Sequence, residues 1–285
     1  MSKKRSVEVA IISDVHLGTY GCRAKELLEY LKSIKPETLV LNGDIIDIWQ
    51  FSKRYWPSSH MRVVKQIFGM AAKGVDIYYV TGNHDEMLRK FDGFTMGSLK
   101  VVNKVVLELD GKKAWIFHGD VFDITMKHSK WLAKLGAIGY DTLILLNAFV
   151  NFVREKIGMG RVSFSKKIKN RVKGAVKFID DFENTAADIA INNDYDYVVC
   201  GHIHNPEIKI INNSQGSVVY LNSGDWIENL TALEYNKKKW ALYRFSDDIS
   251  LNEEKTTEAE EEVEIENLDV GVLYKNLVEE IRLNK

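Results

Sequence analysis

Short β-branched runs alternate with helical patterns over the first third of the chain. Val7–Ile12 is continuously apolar apart from Glu8 and predicts a buried strand. Arg23–Ile34 carries Leu27, Leu28 and Leu31 at helical spacing. Thr38–Leu41 predicts a second strand, Val63–Ala72 a helix, and Val75–Thr81 a third strand. This β-α-β-α-β order predicts a largely parallel sheet with right-handed crossovers.

The pattern then changes. Val101–Leu109 and Lys113–His118 predict two strands joined at Asp110-Gly111, a hairpin signal. Residues 123–190 lose strand character and read as several helices. Tyr197–Cys200 returns to strand. Glu207–Ile211, Ser217–Leu221, Leu230–Glu234 and Trp240–Phe245 predict an antiparallel meander, with Asn236-Lys237 at one turn. Glu253–Glu266 holds 8 Glu against one Lys, within an acidic stretch from Asp247 that reads as a solvated linker. Leu268–Leu283 predicts a short amphipathic helix. The organisation expected is one core over 1–122 and 191–246, a helical insertion over 123–190, and a tail over 247–285.

The insertion has two compositional marks. Trp131, Leu132, Leu135, Leu143, Phe149 and Phe152 are part of a dense apolar supply. Behind them, Arg154–Lys177 holds nine basic residues against one Glu. One reading is a helical pair packed on the core with a solvated face. The other is a cap whose apolar groove and basic rim hold a lipid with an anionic head, or meet an anionic membrane surface. On the second reading Ser163, Ser165, Lys166, Lys167, Asn170 and Lys173 are the candidate substrate-binding residues; on the first they are a solvated helix face.

Composition narrows the classes. The 285 residues are 45% hydrophobic and 28% charged, near the averages for globular chains. Lys and Arg number 39 against 40 Asp and Glu, so no global field drives nucleic-acid binding, and no nucleic-acid partner is expected. Cys22 and Cys200 are too few for a disulfide framework or a thiolate zinc site. The apolar run after the basic N-terminus is too short for a signal peptide. The stretch Leu143–Val153 is interrupted by Asn147 and Asn151 and falls short of the roughly 20 residues that span a bilayer. A cytoplasmic protein is expected.

Five of the 7 histidines stand at the ends of predicted strands. The segments are Asp14-Val15-His16, Gly43-Asp44-Ile45-Ile46-Asp47, Gly82-Asn83-His84-Asp85, His118-Gly119-Asp120 and Gly201-His202-Ile203-His204. In open α/β sheets the carboxyl ends of strands form the ligand crevice, so these segments converge. Imidazole, carboxylate and amide together suit Mn²⁺, Fe²⁺ or Zn²⁺ rather than a thiolate metal. Residues two apart in extended chain point the same way, which lets both ends of Asp14-x-His16 and His202-x-His204 reach one ion or an adjacent pair. Glycines 43, 82, 119 and 201 are read as allowing sharp turns beside the ligands. Any one segment is a common chance pattern; the full set in this order, each after a strand, is specific.

In this set the chain resembles the calcineurin-like metallophosphoesterase family over residues 7–245, with the insertion as the variable part. The resemblance implies an α/β (α+β) fold, a two-sheet β-sandwich flanked by helices. It implies two divalent metal ions: Mn²⁺ is expected, and Fe²⁺, Zn²⁺ or Mg²⁺ suit the same groups. One would be held by Asp14, His16, Asp44 and His204, the other by Asp44, Asn83, His118 and His202. Asp44 and a water or hydroxide would bridge them. Two cations about 3.5–4 Å apart activate that water for attack and clamp the phosphoryl group. His84 would not be a ligand but a catalytic group facing the leaving oxygen, as general acid or charge stabiliser, oriented by Asp47 or Asp85. Asp120 either supports His118 from behind or is structural. Asn222 and Asp225 either shape the rim or belong to a plain turn.

A helical insertion between the lone His118 segment and Gly201-x-x-His204 resembles the UDP-2,3-diacylglucosamine hydrolases of lipid A synthesis. Those enzymes release UMP and leave a diacylglucosamine 1-phosphate. Acyl chains need an apolar groove and a diphosphate needs cations, which is the composition of the insertion. The partner so implied is a nucleotide-linked diacyl sugar; the apolar Leu143–Val153 stretch and the basic run separately predict peripheral contact with an anionic membrane, at the inner face of the inner membrane. One departure stands out: the best-known branch has Gly-Asn-Arg-Asp where this chain has Gly82-Asn83-His84-Asp85. The alternatives are another two-metal phosphodiesterase or phosphatase, acting on nucleotides or phosphoproteins, and a non-catalytic scaffold on the same fold.

Overall fold

The computed structural model describes residues 4–49, 55–123 and 165–248, with the side chains of 123 and 165–175 left out. Strand β1 (Arg5–Ile12) is buried at nearly every position from Val7 on. That is the pattern of a parallel strand covered on both faces. It pairs in parallel with β2 (Ile34–Asn42), from Arg5 opposite Ile34 to Ile12 opposite Leu41. Strand β2 pairs in parallel with β3 (Asp76–Val80). Helices α1 (Ala24–Ser33) and α2 (Ser58–Ala71) make the crossovers. Strand β2 starts before the predicted Thr38, directly after α1. Pro36 lies in that extra stretch; it lacks an N–H for the ladder, which masks the strand in the sequence.

Two predicted features are corrected. Val101–Leu109 is not one strand. It divides into β5 (Leu99–Val102), parallel to β3, and β6 (Val105–Leu109), antiparallel to β7 (Lys112–Ile116). Between them the Asn103 amide bonds to loops instead of to a ladder. Its N–H donates to Asp92 Oδ1 at 3.1 Å, and its Oδ1 accepts from Thr81 Oγ1 at 2.9 Å. The chain there changes sheets. The meander is likewise two separate hairpins. Strands β9 (Glu207–Asn212) and β10 (Ser217–Asn222) pair with each other, and β10 takes β8 (Tyr197–Cys200) as its parallel neighbour. Strands β11 (Thr231–Asn236) and β12 (Lys239–Arg244) join the other sheet, because β11 pairs with β1.

The result is a seven-stranded sheet in the order β12-β11-β1-β2-β3-β5-β4, where β4 is Thr95–Met96, and a five-stranded sheet in the order β6-β7-β8-β10-β9. The expected sandwich is present. Val9, Ile11, Val40 and Leu233 of the first sheet meet Ala114, Ile116, Val199 and Leu221 of the second in one apolar core. The outer face of the second sheet is covered by helix α3 (Ser165–Asn192), whose Phe182, Ala186, Ala187 and Ala190 pack on Trp115, Phe117, Val198 and Tyr220. Among the described residues no helix is long and apolar enough to cross a membrane. Most of the insertion, the acidic stretch and the helix expected over Leu268–Leu283 lie outside the described residues.

Candidate metal centre

The ends of β1, β2, β3, β7, β8 and β10 face one place, and the chain leaves several of them in an unusual conformation. Asp14, His16, Asp44, His202 and His204 all have positive φ, between 50° and 68°. Such backbone is costly for residues with a Cβ and persists only where its surroundings enforce it. Here the loops enforce one another. Asp14 N–H donates to Gly43 O at 3.1 Å, and Val15 and His16 N–H both donate to Asp44 O at 3.0 and 2.9 Å. Gly201 N–H donates to His118 O at 2.9 Å, and Trp226 N–H to Asp14 O at 3.1 Å. His60, buried on α2, accepts the Gly18 N–H through Nδ1 at 3.0 Å and so anchors the turn that follows His16.

The side chains are oriented from behind. His118 donates Nδ1–H to Asn42 O at 2.9 Å, so Nε2 is the nitrogen that faces inward and offers a lone pair when the ring is neutral. It lies 3.2 Å from Asp44 Oδ2. Asp44 Oδ1 accepts the His84 N–H at 2.8 Å, and Asp14 Oδ2 accepts the His202 N–H at 3.0 Å. Asp14 Oδ1 lies 3.1 Å from His204 Nε2. Asp47 Oδ2 takes Nδ1 of His84 at 2.9 Å and stands 3.3 Å from Nδ1 of His16. That leaves Nε2 of His16 for other use.

Four buried atoms make no hydrogen bond of good geometry: His16 Nε2 and Asn83 Oδ1, and also Asp14 Oδ1 and His118 Nε2, which face only their ion-pair partners His204 and Asp44. A buried polar atom without a partner is expensive, and all four are good donors to a cation. Asp14, His16 and His204 bring ligand atoms within 4.8 Å of one another, as do His16, Asp44 and His84, and also Asp44, His118 and His202. Asp44 belongs to two of these groups. Neutral imidazole and carboxylate oxygen fit divalent metal ions, and the centre is built to hold cationic charge. Burial works to raise Asp14 and Asp44. The histidines outweigh it, His204, His118 and His16 for Asp14, and His118 and His16 for Asp44, so both carboxyls sit below the usual carboxylate range. Burial works to lower His118 and His204. Asp44 and Asp14 outweigh it for His118, which lies well above the usual imidazole value. Asp14 and Asp225 do so for His204, pushed up to about 9.

The remaining candidates separate by contact. Asp47, not Asp85, is the carboxylate that touches His84. Asp85 is fully buried and saturated by the chain: Oδ2 accepts from Ile45 N–H at 3.0 Å and Tyr79 Oη at 2.7 Å, and Oδ1 from Gly82 N–H at 2.6 Å. It ties the Gly82–Asp85 turn to the loop after β2. Asp120 pairs with Arg89. Asp225 is fully buried and accepts from the N–H groups of Ile227 and Glu228 at 2.9 and 2.6 Å. Asn222 donates to Gly201 O at 2.9 Å and thereby holds the His202 loop. Ser163 lies outside the described residues. Ser165, Lys166, Lys167, Asn170 and Lys173 lie on α3, and their side chains are outside the description.

Glycine does two jobs here. Gly43 and Gly119 have positive φ, as a sharp turn requires. Gly82 and Gly201 do not; they are needed for room. A Cβ at Gly82 would stand 2.3 Å from Asp44 Oδ1, and one at Gly201 would stand 2.6 Å from Asp14 Oδ2. The sequence reading missed a buried polar layer behind the ligands. Ser13 Oγ and Ser223 Oγ are 2.7 Å apart, and Ser13 Oγ donates to Gly224 O at 2.9 Å. Ser13 precedes Asp14 and Ser223 precedes Gly224, so adjacency to a motif was the available signal.

The pattern of the calcineurin-like phosphoesterase family matches residues 7–206. A UDP-2,3-diacylglucosamine hydrolase of Aliivibrio fischeri is 24% identical over 241 residues, covering 83% of this chain and 98% of its own. The enzyme of that name from Blochmanniella pennsylvanica is 25% identical, covering 81% and 93%. Among solved structures, an archaeal phosphodiesterase superposes with a TM-score of 0.39 at 14% identity, covering 83% of this chain and 98% of that one.

Proposed function

We propose that this chain, which belongs to the calcineurin-like phosphoesterase family and is a metal-dependent phosphoesterase, hydrolyses the pyrophosphate bond of UDP-2,3-diacylglucosamine. The products are UMP and 2,3-diacylglucosamine 1-phosphate. The observation that carries the hydrolytic chemistry is the convergence of buried carboxylate and imidazole ligand atoms in three groups that share Asp44 and His16, with His16 Nε2 and Asn83 Oδ1 left without a hydrogen bond. The lipid substrate rests on similarity along almost the full length of relatives that bear that enzyme's name. It also rests on an insertion that joins apolar residues to a basic run.

In this reading Asp14, His16, Asp44 and His204 hold one divalent cation, and Asp44, Asn83, His118 and His202 hold the other, with Mn²⁺ the expected metal. Two such cations supply positive charge against the phosphoryl oxygens and make water a nucleophile near neutral pH. The chain supplies the rest. The outer bonds of His118 to Asn42 and of His16 to Asp47 fix which nitrogen faces inward. Asp47 holds Nδ1 of His84, so Nε2 is the atom that meets the leaving oxygen and donates to it. Asp85 acts through the loop it ties down. Ser163, Ser165, Lys166, Lys167, Asn170 and Lys173 bind the anionic part of the substrate, and the apolar residues of the insertion take the acyl chains. The enzyme works in the cytoplasm with peripheral contact to the inner face of the inner membrane.

His84, in place of the arginine of the best-known lipid branch, favours a second reading: a phosphodiesterase for a soluble nucleotide. The two are separated by supplying Mn²⁺-loaded protein with UDP-2,3-diacylglucosamine and measuring UMP. Release of UMP at a rate above that of a nucleotide diester supports the lipid reading. Turnover of the nucleotide diester alone overturns it.

A further inference from the structure

We infer that Trp49 is a positioning residue that acts on the reaction through His84; this rests on the role given to His84 above. Three consecutive residues hold that histidine, each by a different group. Asp47 Oδ2 takes Nδ1 at 2.9 Å, Ile48 N–H donates to the His84 carbonyl at 3.0 Å, and the Trp49 ring lies against the imidazole. The Trp49 and His84 ring centres are 4.7 Å apart with planes 35° from parallel. On another side His16 meets His84 edge-on, at 4.6 Å and 85°.

These contacts divide the work. The Asp47 bond decides which nitrogen points away from the substrate, but a single bond lets the ring swing about it. The indole removes that freedom by giving the ring a flat wall, and His16 limits it elsewhere. A reacting group misplaced by about 1 Å loses much of its effect, up to roughly a hundredfold. The exposure of Trp49 argues that it is not there to fill a core. Trp49 is 59% exposed, whereas Trp115 and Trp226 are buried. A large apolar ring left mostly in water gains little from burial, so its fixed contact with His84 is the feature to account for.

The test uses the full chain loaded with Mn²⁺ and a phenyl phosphodiester, whose turnover does not depend on the lipid assignment. W49A, W49F and H84A are measured singly, and W49A is also measured in the H84A background. General acid catalysis is worth about 10²–10⁴, so a loosened ring is expected to cost W49A about tenfold in kcat. KM should stay within about twofold, thermal unfolding should be unchanged, and W49F should recover most of the loss. In the H84A background W49A should add less than about twofold, since contacts that act together are not additive. The same tenfold loss in both backgrounds would overturn the inference, as would a rise in KM with kcat unchanged, which marks direct substrate binding. If H84A itself leaves kcat unchanged, the role given to His84 falls and the inference with it. An additive loss, by contrast, sinks only Trp49.

Discussion

Asp44 Oδ1 accepts the backbone N–H of His84 at 2.8 Å. One carboxylate thus serves two loops: one oxygen holds the turn that carries His84, and the other faces Nε2 of His118. Asp44→Asn separates the two duties. The amide oxygen can still accept the His84 N–H, so the fold should persist. The charge that the two proposed metal positions would share is lost. Activity is expected to fall by at least about 100-fold, the upper end of what a group behind a metal ligand costs. The check is kcat alongside thermal unfolding of the same sample; an unfolded variant, or one with most of its activity, would contradict the assignment.

The centre should show a proton–metal competition with a definite sign. His204 is raised to about 9 and His118 well above its usual value, chiefly by Asp14 and Asp44 against the effect of burial. A metal binds the neutral ring, so protons must leave first. Affinity for Mn²⁺ should weaken as pH falls below about 9. The metal-free protein should behave the other way. A raised histidine contributes stability that is complete below the unfolded value near 6.5 and is lost as pH rises through about 9. Titration calorimetry with Mn²⁺ and thermal unfolding of metal-free protein across that window read both arms. Affinity independent of pH would contradict the account.

Gly82→Ala should damage the centre without replacing any proposed ligand. Its Cβ would stand 2.3 Å from Asp44 Oδ1 and 2.6 Å from Asp44 N, and backbone cannot swing aside. Overpacking of this kind costs about 1–3 kcal/mol. Gly82 has no positive φ, so a loss of stability here reports crowding alone. Chemical denaturation measures it, and wild-type stability with wild-type metal binding would contradict the contact.

Asp85→Asn is expected to act on stability more than on chemistry. The carboxylate accepts from Ile45 N–H, Tyr79 Oη and Gly82 N–H, all buried. An amide turns one of those acceptors into a donor facing a donor. A buried donor left unpaired costs about 1–3 kcal/mol. Denaturation should show that loss, and full metal loading should restore most of the kcat. A variant of normal stability that has lost kcat would return Asp85 to a direct catalytic role.

The residues that converge in the candidate centre were legible because each lies within a few positions of an apolar run that ends a strand: Asp14 after Ile12, Asp44 after Asn42, His118 after Ile116. Such local patterns survive in a single sequence. The order of strands did not. Val101–Leu109 reads as one strand because its hydrophobicity is continuous, and only the tertiary bonds of Asn103 show where it leaves the first sheet. The four strands after Glu207 read as a meander because pairing partners were sought among neighbours, whereas β11 pairs with β1. The buried bonds of Ser13 to Ser223, of Asn42 Nδ2 to Phe117 O and of Ser223 to Cys200 O escaped for the same reason, since each reaches a residue far along the chain. Asp47 and Asp85 were equivalent in the sequence, and only contact with His84 distinguishes them.

The central claim is that the centre would hold two ions with Asp44 serving both, and counting ions tests it most directly. Metal-free protein is titrated with Mn²⁺ by calorimetry near pH 9, in the wild type and in Asp44→Asn. The account predicts two ions per chain in the wild type, with at least one lost in the variant while the fold persists. A wild type that takes up no Mn²⁺ or a single ion, or a variant that binds two as tightly as the wild type, would contradict it.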